Sequence, residues 1–294
     1  MAVYDIDGNV LNTVYDIDGN ELNYAYDIDG DQIYSKGTPY VPSLTLLHSE
    51  LTSNIGTGTI TPQGLAVYGD YYFQFFTGDN KMRVFNRNTY EKVAEYSATN
   101  IKHANTMQFG NVVQSNGFPL LYVSEWGDSG AVDSKTIDVL QIDLSGYTIV
   151  DSFTLPNSAG YHPSFVGDWA NNVGYSVGFA NSLSTAEIQP NVITKYDLSD
   201  MSIIEQYQVP YMGVLNGFEY YNGKLIYCGN TWNGATTIFS FIDVNTHEVT
   251  QYSFAKSTDE EYEGYAVDGN ELIISNWIRT ENVLYYRIFS MNLN

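Results

Sequence analysis

The chain has 294 residues, of which 15% are aromatic and only 16% are charged, a composition typical of a β-rich globular protein rather than of a disordered chain. Its 12 basic residues are outnumbered by 34 acidic ones, and the net charge of −22 argues against binding to nucleic acid or to an anionic membrane surface. The single cysteine, Cys228, excludes an intramolecular disulfide, and no apolar run approaches the ~18 residues that a membrane helix needs. We therefore predict neither disulfides nor membrane insertion.

The chain begins with three 11-residue repeats that share the pentapeptide YDIDG and start at Val3, Val14 and Ala25. Asp-Gly and Gly-Asn are strong tight-turn signals, so each copy predicts a short strand, a turn and a second short strand. Short identical copies bury apolar surface only by stacking on each other or on other chains. We therefore predict that residues 1–36 are an attachment or oligomerisation segment, most simply in a homotrimer, followed by a linker over residues 37–43.

The same repeats carry paired aspartates that raise the question of calcium. Calcium loops place acidic oxygens at alternate positions before a glycine, but these copies lack the distal bidentate glutamate of an EF-hand. The candidate ligands are Asp5, Asp7, Asp16, Asp18, Asp27 and Asp29. Turn chemistry is the favoured interpretation, calcium between stacked copies stays an alternative, and no other cofactor is predicted.

From residue 44 to the end of the chain, strand-like runs recur in five groups separated by turn residues. The third run of most groups ends in a polar turn, as in FNRNTYEK, IDLSGYTI and IDVNTHEV. Four-stranded groups at spacings of 40–60 residues are typical of β-propellers. The predicted fold class is all-β, a five-bladed β-propeller over residues 44–294 with a short β-repeat segment before it. A sandwich or a six-bladed ring is the alternative.

The fifth group contains only three strand-like runs, whereas the segment LTLLHSELTS precedes the first group as a spare strand. Pairing these two parts would close the ring and leave no exposed strand edge. We predict that residues 44–53 form the outermost strand of the last blade.

Propeller topology brings the entries to the five innermost strands to one mouth of the central channel. These entries supply the polar residues Gln63, His103, Asn105, His162, Asn216 and Glu263. One interpretation is that they tie neighbouring blades together and hold buried water. The other is that they form a polar funnel for a ligand. The two histidines with the glutamate would offer metal ligands, but their spacing matches no metal motif, so no metal site is predicted there.

Three of the four tryptophans occur in loops between second and third strands, which emerge on the same face as that mouth. They are Trp126 in SEWGDS, Trp232 in NTWNGA and Trp277 in SNWIRT, the last close to Arg279. An indole face covers the C–H face of a sugar ring, while amides and carboxylates bind its hydroxyls. The sequence thus favours glycan recognition, and packing between blades is the alternative.

The sequence gives less evidence for catalysis than for ligand binding. Glycosidases use two carboxylates that converge on the substrate, and here Glu263 and Glu125 are the acids best placed to point inward, with Asp168 expected lower in the channel. The motifs GxSxG, HExxH, GxGxxG and the P-loop do not occur in the sequence. A binding protein is therefore favoured. A polysaccharide-degrading hydrolase or lyase is the first alternative, and a purely structural particle protein is the second.

The repeats also resemble known sequences. Tracts of the form YDxDGN resemble the N-terminal segments of tail and receptor-binding proteins of phages from gut Firmicutes, although the third copy has Asp31 in place of asparagine. The resemblance is limited to residues 1–36. It implies a tail-fibre or tail-tip protein of a virion, joined to other tail proteins through the repeats, with the propeller as a distal head for a host-surface glycan or receptor. The start MAVYDIDGN lacks signal-peptide features, so we expect synthesis in the bacterial cytoplasm.

Overall fold

The computed structural model describes twelve segments of the chain, and its contacts divide the protein into two compact units, Met1–Ser43 and Leu44–Asn294. The described segments are residues 3–4, 10–11, 24–26, 32–35, 43–56, 60–101, 103–125, 135–180, 190–231, 236–257, 259–281 and 283–293.

The described part of the first unit consists of two small hairpins. Strand β1 (Val3–Tyr4) pairs antiparallel with β2 (Val10–Leu11) across the first YDIDG copy, and β3 (Tyr24–Tyr26) pairs antiparallel with β4 (Gln32–Ser35) across the third. The six candidate calcium ligands lie outside the described residues.

The second unit is a five-bladed β-propeller, as the sequence predicts, and each blade is a four-stranded antiparallel sheet. Blade 1 contains β6 (Thr61–Tyr68), β7 (Tyr71–Thr77), β8 (Lys81–Asn86) and β9 (Lys92–Ser97). Blade 2 contains β10 (Ala104–Val113), β11 (Pro119–Glu125), β12 (Thr136–Asp143) and β13 (Gly146–Thr154). Blade 3 contains β14 (Tyr161–Asp168), β15 (Val173–Phe179), β16 (Asn191–Asp197) and β17 (Ile203–Val209). Blade 4 contains β18 (Val214–Tyr221), β19 (Lys224–Asn230), β20 (Thr236–Asp243) and β21 (Val249–Ala255).

The last blade combines both ends of this unit. Its strands are β22 (Glu260–Asp268), β23 (Glu271–Thr280), β24 (Val283–Asn292) and, outermost, β5 (Thr45–Leu51) from the start of the unit. Strand β5 runs antiparallel to β24, with Thr45 opposite Ser290 and Leu51 opposite Tyr285. A short helix α1 (Thr52–Ile55) then leads into blade 1, and a 3-10 turn at Asn157–Ala159 precedes blade 3.

The recurring polar turn between third and fourth strands has a single physical cause. In four blades, the last residue of the third strand is an Asn or Asp whose Oδ1 accepts the backbone N–H two residues further on, at 2.7–2.9 Å. These residues are Asn86, Asp143, Asp197 and Asp243. Because this Asx turn reverses the chain locally, each of these four blades closes its outer hairpin without help from other blades.

Large apolar side chains fill the interfaces between blades. Phe73 of blade 1 packs edge-on against Phe109 of blade 2, with ring centroids 5.2 Å apart, and Phe76 meets Tyr286 of blade 5 at 5.4 Å. The first three strands of each blade are largely buried, whereas fourth strands alternate between exposed and partly buried residues. None of the helices in the described part of the chain has the length and apolar character needed to cross a membrane.

Candidate functional site

Each of the five innermost strands carries a register irregularity close to its start. The irregularities fall between Pro62 and Leu65 in blade 1, Ala104 and Thr106 in blade 2, Tyr161 and Ser164 in blade 3, Leu215 and Gly217 in blade 4, and Tyr262 and Gly264 in blade 5. A bulge places an extra residue in one strand and re-aims its side chain. The bulged positions include five polar residues that the sequence predicts at the channel mouth, namely Gln63, Asn105, His162, Asn216 and Glu263.

The bulges bring most of these side chains together in one cavity of about 380 Å³ at the N-terminal ends of the inner strands. We call it the entry cavity. Six of the sequence-predicted residues line it: Gln63, His103, Asn105, Asn216, Glu263 and Trp277. Its volume lies within the range of roughly 300–1,000 Å³ that is typical of small-molecule sites.

Close backbone approach at the bulges explains the small residues that follow the polar ones. A Cβ added to Gly217 would lie 2.0 Å from the ring of Tyr265, and one added to Gly264 would lie 2.3 Å from the backbone oxygen of Gln63. Any larger residue would therefore push neighbouring inner strands apart and widen the cavity floor.

Two of these polar side chains form hydrogen bonds between blades. Asn216 Nδ2 donates to the backbone oxygen of Tyr262 on the next blade at 2.9 Å. Asn105 Nδ2 donates across the axis to the backbone oxygen of Leu215 at 3.3 Å. The interpretation as blade ties is thus correct for two amide nitrogens, but it does not account for the other polar atoms of the same cavity.

Three buried polar atoms of the entry cavity have no hydrogen-bond partner among the described residues. They are Gln63 Oε1, Asn105 Oδ1 and Trp277 Nε1, two acceptors and one donor. A buried polar atom without a partner costs about 1–3 kcal/mol, so such groups are rare in folded proteins. Their convergence on one cavity makes it the candidate binding site of the described structure.

The entry cavity also holds two glutamates, because Glu261 lines it beside Glu263. Burial raises the pKa of Glu263 well above its ordinary value, and the charge of Glu261 and a hydrogen bond to it raise that pKa further. Lys256 and a hydrogen bond from Asn216 act in the opposite direction with less effect. Burial thus favours the neutral form of Glu263, while Glu261 Oε1 accepts from Asn230 Nδ2 at 3.2 Å.

The sequence analysis missed Glu261, Thr61 and Thr77 in this cavity. Glu261 stands two residues before Glu263 in the run EEYEG, and residues two apart share a face of a regular strand. This spacing of two residues could have identified Glu261 as a cavity residue from the sequence. The hydroxyl oxygens of Thr61 and Thr77 lie 2.7 Å apart and belong to paired positions of β6 and β7.

The remaining predicted site residues lie elsewhere. His162 occupies the bulge of blade 3 with a φ of +48°, but it is not among the residues that line the entry cavity. Glu125, at the end of β11, and the exposed Arg279 do not line it either. Trp126 and Trp232 lie outside the described residues. The prediction that Trp277 lies in a loop is wrong, because it stands within β23 opposite Tyr286, and from that strand it lines the entry cavity.

The described residues contain no group of three or more His, Cys, Asp or Glu side chains that could hold a metal ion. His103, His162 and Glu263 therefore do not form a metal centre.

A second cavity, of about 300 Å³, lies toward the C-terminal ends of the same inner strands. We call it the exit cavity. Its polar lining includes Gln108, Asp168 and Glu219, so the acid that the sequence places lower in the channel belongs here. Gln108 Nε2 donates across the axis to Glu219 Oε2 at 3.3 Å.

No protein-family model matches this chain, and no curated protein matches it in sequence. Solved structures that resemble its fold include the tail fibre of Staphylococcus aureus phage P68, with a TM-score of 0.49, 11% identity, and coverage of 86% of this chain and 53% of that one. Myxococcus xanthus glutaminyl cyclase gives a TM-score of 0.48 and 12% identity over 86% of this chain and 98% of that one. A nidogen/laminin complex gives a TM-score of 0.45 and 10% identity over 74% and 75%.

The chain spans about half the length of the tail-fibre chain that it resembles. At these identities and TM-scores the resemblances carry no inference about activity, ligand or assembly. The class of the second unit, a five-bladed β-propeller with a polar cavity at one end of its axis, follows from its own sheets.

Proposed function

We propose that the protein is an attachment protein of a virion, a tail fibre or tail tip, whose propeller binds a sugar residue of a host-surface glycan in the entry cavity. The observation that carries the binding role is the convergence of Gln63 Oε1, Asn105 Oδ1 and Trp277 Nε1, all buried and without protein partners among the described residues. Sugar hydroxyls both donate and accept, so one sugar ring can satisfy a mixed set of this kind.

The charge of the entry cavity narrows the class of sugar. Among the described residues, its lining contains Glu261 and Glu263 but no lysine or arginine. An anionic sugar, such as a uronic acid, would bring a second negative charge beside Glu261 in a poorly solvated site. The proposed ligand is therefore a neutral sugar, or one that carries an amine.

The indole nitrogen of Trp277 gives a sharp test of this site. Trp277→Phe removes the donor and keeps an aromatic ring, so we expect binding to neutral host glycans to weaken about tenfold, the effect of one hydrogen bond of ~1–1.5 kcal/mol. The melting temperature should stay nearly unchanged, because Nε1 has no protein partner in the described structure. A glycan array followed by titration with the best neutral oligosaccharide measures the change.

The matched control for that test is Arg279→Ala, two residues further along β23 and outside the cavity lining. It should bind like the unmodified protein. If no neutral or amino glycan binds, or if Trp277→Phe and Arg279→Ala bind equally well, the entry cavity is not the glycan site.

The pair of glutamates keeps hydrolysis as a second candidate function. In glycosidases the two carboxyl groups are roughly 5–10 Å apart and flank the scissile bond. Here Glu263 and Glu261 hydrogen-bond to each other, which favours binding over cleavage. Release of reducing ends from a bound polysaccharide, abolished by Glu263→Gln, would support the hydrolase instead.

The assembly role of the repeats is a separate proposal that rests on their sequence. Three short copies leave little apolar surface for independent stability, so residues 1–36 should associate with other chains, most simply in a trimer. We expect the full chain to have about three times the monomer mass in solution, and a fragment of residues 37–294 to be monomeric. Light scattering with and without calcium measures both. A full-length protein that is monomeric in both conditions would contradict the assembly role.

A further inference from the structure

The exit cavity contains a carboxylic acid that the fold leaves incompletely bonded. Glu219 of β18 is 2% exposed, and its Oε1 has no partner among the described residues. Its Oε2 accepts from Gln108 Nε2 at 3.3 Å, and the backbone N–H of Tyr220 also donates to the carboxyl group. A buried carboxyl group with one free oxygen is costly in either protonation state, so it indicates a missing donor.

The orientation of Gln108 is fixed by two other bonds. Its Oε1 accepts from the backbone N–H of Gly167 at 2.7 Å and from Trp169 Nε1 at 3.0 Å. Because both partners are donors, the amide cannot flip, and Gln108 can offer only its nitrogen to Glu219. The other oxygen of Glu219 is therefore left for a partner within the cavity.

A second carboxylate, Asp168, lines the same cavity and is 8% exposed. Asn171 Nδ2 donates to its Oδ2 at 2.8 Å, and its side chain also bonds with the hydroxyl of Tyr220. The lining as far as the structure describes it contains no lysine, arginine or histidine, and the rest of it is mainly apolar, including Val67, Phe109 and Val267. The exit cavity is thus acidic at Glu219 and Asp168 and apolar around them.

We propose that the exit cavity binds a small organic cation, a primary ammonium with an apolar body, whose ammonium group donates to Glu219 Oε1. An ammonium offers three donors and the charge that offsets an ionised carboxylate, and none of the described lining residues has a basic side chain that could do so. Trp169 and Tyr220 also line the cavity, and aromatic rings favour cations. This site is separate from the entry cavity and does not depend on glycan binding there.

The proposal implies that binding depends on pH. Burial raises the pKa of Glu219 well above its ordinary value, with the bond from Gln108 acting less strongly in the opposite direction. The titratable groups around it are Asp168 and Tyr220 in the cavity and the buried thiol of Cys228 on β19, whose pKa Glu219 raises. An ammonium prefers the ionised carboxylate, so its binding should release a proton and strengthen as the pH rises.

The test is calorimetric titration of the full chain with n-butylammonium chloride and, separately, with n-butanol, at constant ionic strength and in two buffers with different heats of ionisation. We expect one site per chain, affinity for butylammonium at least tenfold above that for butanol, and proton release. Glu219→Gln should weaken butylammonium binding at least tenfold. Glu248→Gln removes the same charge from an exposed position and should change nothing.

Stability measurements show whether Glu219→Gln still folds and separate a structural role from a binding role. A glutamate with a raised pKa contributes stability that is full below about pH 4.3 and is lost as the pH rises. The melting temperature of Glu219→Gln relative to the unmodified protein should therefore rise between about pH 4.3 and 8. Equal butylammonium affinity in a folded Glu219→Gln variant, equal affinity for butanol, or no saturable binding would each overturn the proposal.

Discussion

Removal of residues 1–53 is expected to destabilise the propeller severely, whereas removal of residues 1–43 should leave it folded. The first deletion takes away β5, which pairs with β24 at six positions between Thr45 and Leu51. At a net contribution of about 0.5–1.5 kcal/mol per hydrogen bond, the loss amounts to several kcal/mol, a large part of the 5–15 kcal/mol that stabilises a typical domain. It also leaves a ten-residue strand, Val283–Asn292, as an open edge.

The measurements are thermal unfolding and light scattering of fragments 44–294 and 54–294. Fragment 54–294 should melt at least 10 °C lower, by the relation of roughly 2–4 °C per kcal/mol for a domain of this size, and should form aggregates. A synthetic peptide of residues 44–56 added in excess should bind the open edge and restore part of the lost stability. Fragment 54–294 that is monomeric and as stable as 44–294 would show that β5 is dispensable.

Much of the propeller could be predicted from sequence because each blade carries its own local signals. The Asx turns at Asp143, Asp197 and Asp243 depend on one side chain and its nearest backbone N–H groups, so they are visible in any single blade. Strand β5 could be predicted for a different reason. The last group contained three strand-like runs, whereas the other groups contained four.

The candidate site could be predicted only in part, and the bulges explain why. In a regular strand, alternate residues share a face, so a count from Asn216 would place residue 218 in the channel. That residue is Phe218, which is buried in the core between blades, whereas Glu219 lines the exit cavity. The bulge at Asn216 shifts the alternation by one residue.

The same shift occurs in blades 1, 2 and 5. The exit-cavity residues Ala66, Gln108 and Ala266 each lie three positions after a bulged residue of the entry cavity. A spacing of three residues after Asn105 and Asn216 would therefore have predicted that Gln108 and Glu219 line the exit cavity. Recognising it required the bulges, which arise from backbone packing around the axis and have no local sequence marker in blade 2.

Replacement of Arg83 is expected to be the most damaging single change to an ionic group in this propeller. Arg83 of β8 is 0% exposed, yet it carries a full charge. Its Nη1 and Nη2 bond with Asp79 in a bidentate pair, and its Nε donates to Glu95 Oε2 at 3.0 Å and to the backbone oxygen of Ile55 at 2.8 Å. One side chain thus joins two strands and a turn of blade 1 to helix α1, which follows the closing strand.

The electrostatic cluster around Arg83 should also make the stability of the protein depend on pH in the acid range. Burial alone would raise the pKa of Glu95, but hydrogen bonds from Lys81 and Lys92 and the charge of Arg83 together lower it to about 2. A glutamate with a lowered pKa contributes stability above about pH 4.3, and that stability is lost as the pH falls toward 2. The unmodified protein should therefore lose stability over that range, and a variant without Arg83 should lose less.

Arg83→Met keeps most of the side-chain volume but removes the donor to Asp79 and leaves the Ile55 oxygen with the longer bond from Lys92 Nζ, at 3.2 Å. Breaking a buried ion pair in this way costs about 3–5 kcal/mol, so the melting temperature should fall by roughly 6–20 °C at pH 7. Arg87→Met is the matched control, because Arg87 pairs with Asp268 while its side chain is 33% exposed, and such surface pairs contribute only about 0–1 kcal/mol. If the two variants melt at the same temperature, the buried cluster does not stabilise the junction between the closing strand and blade 1.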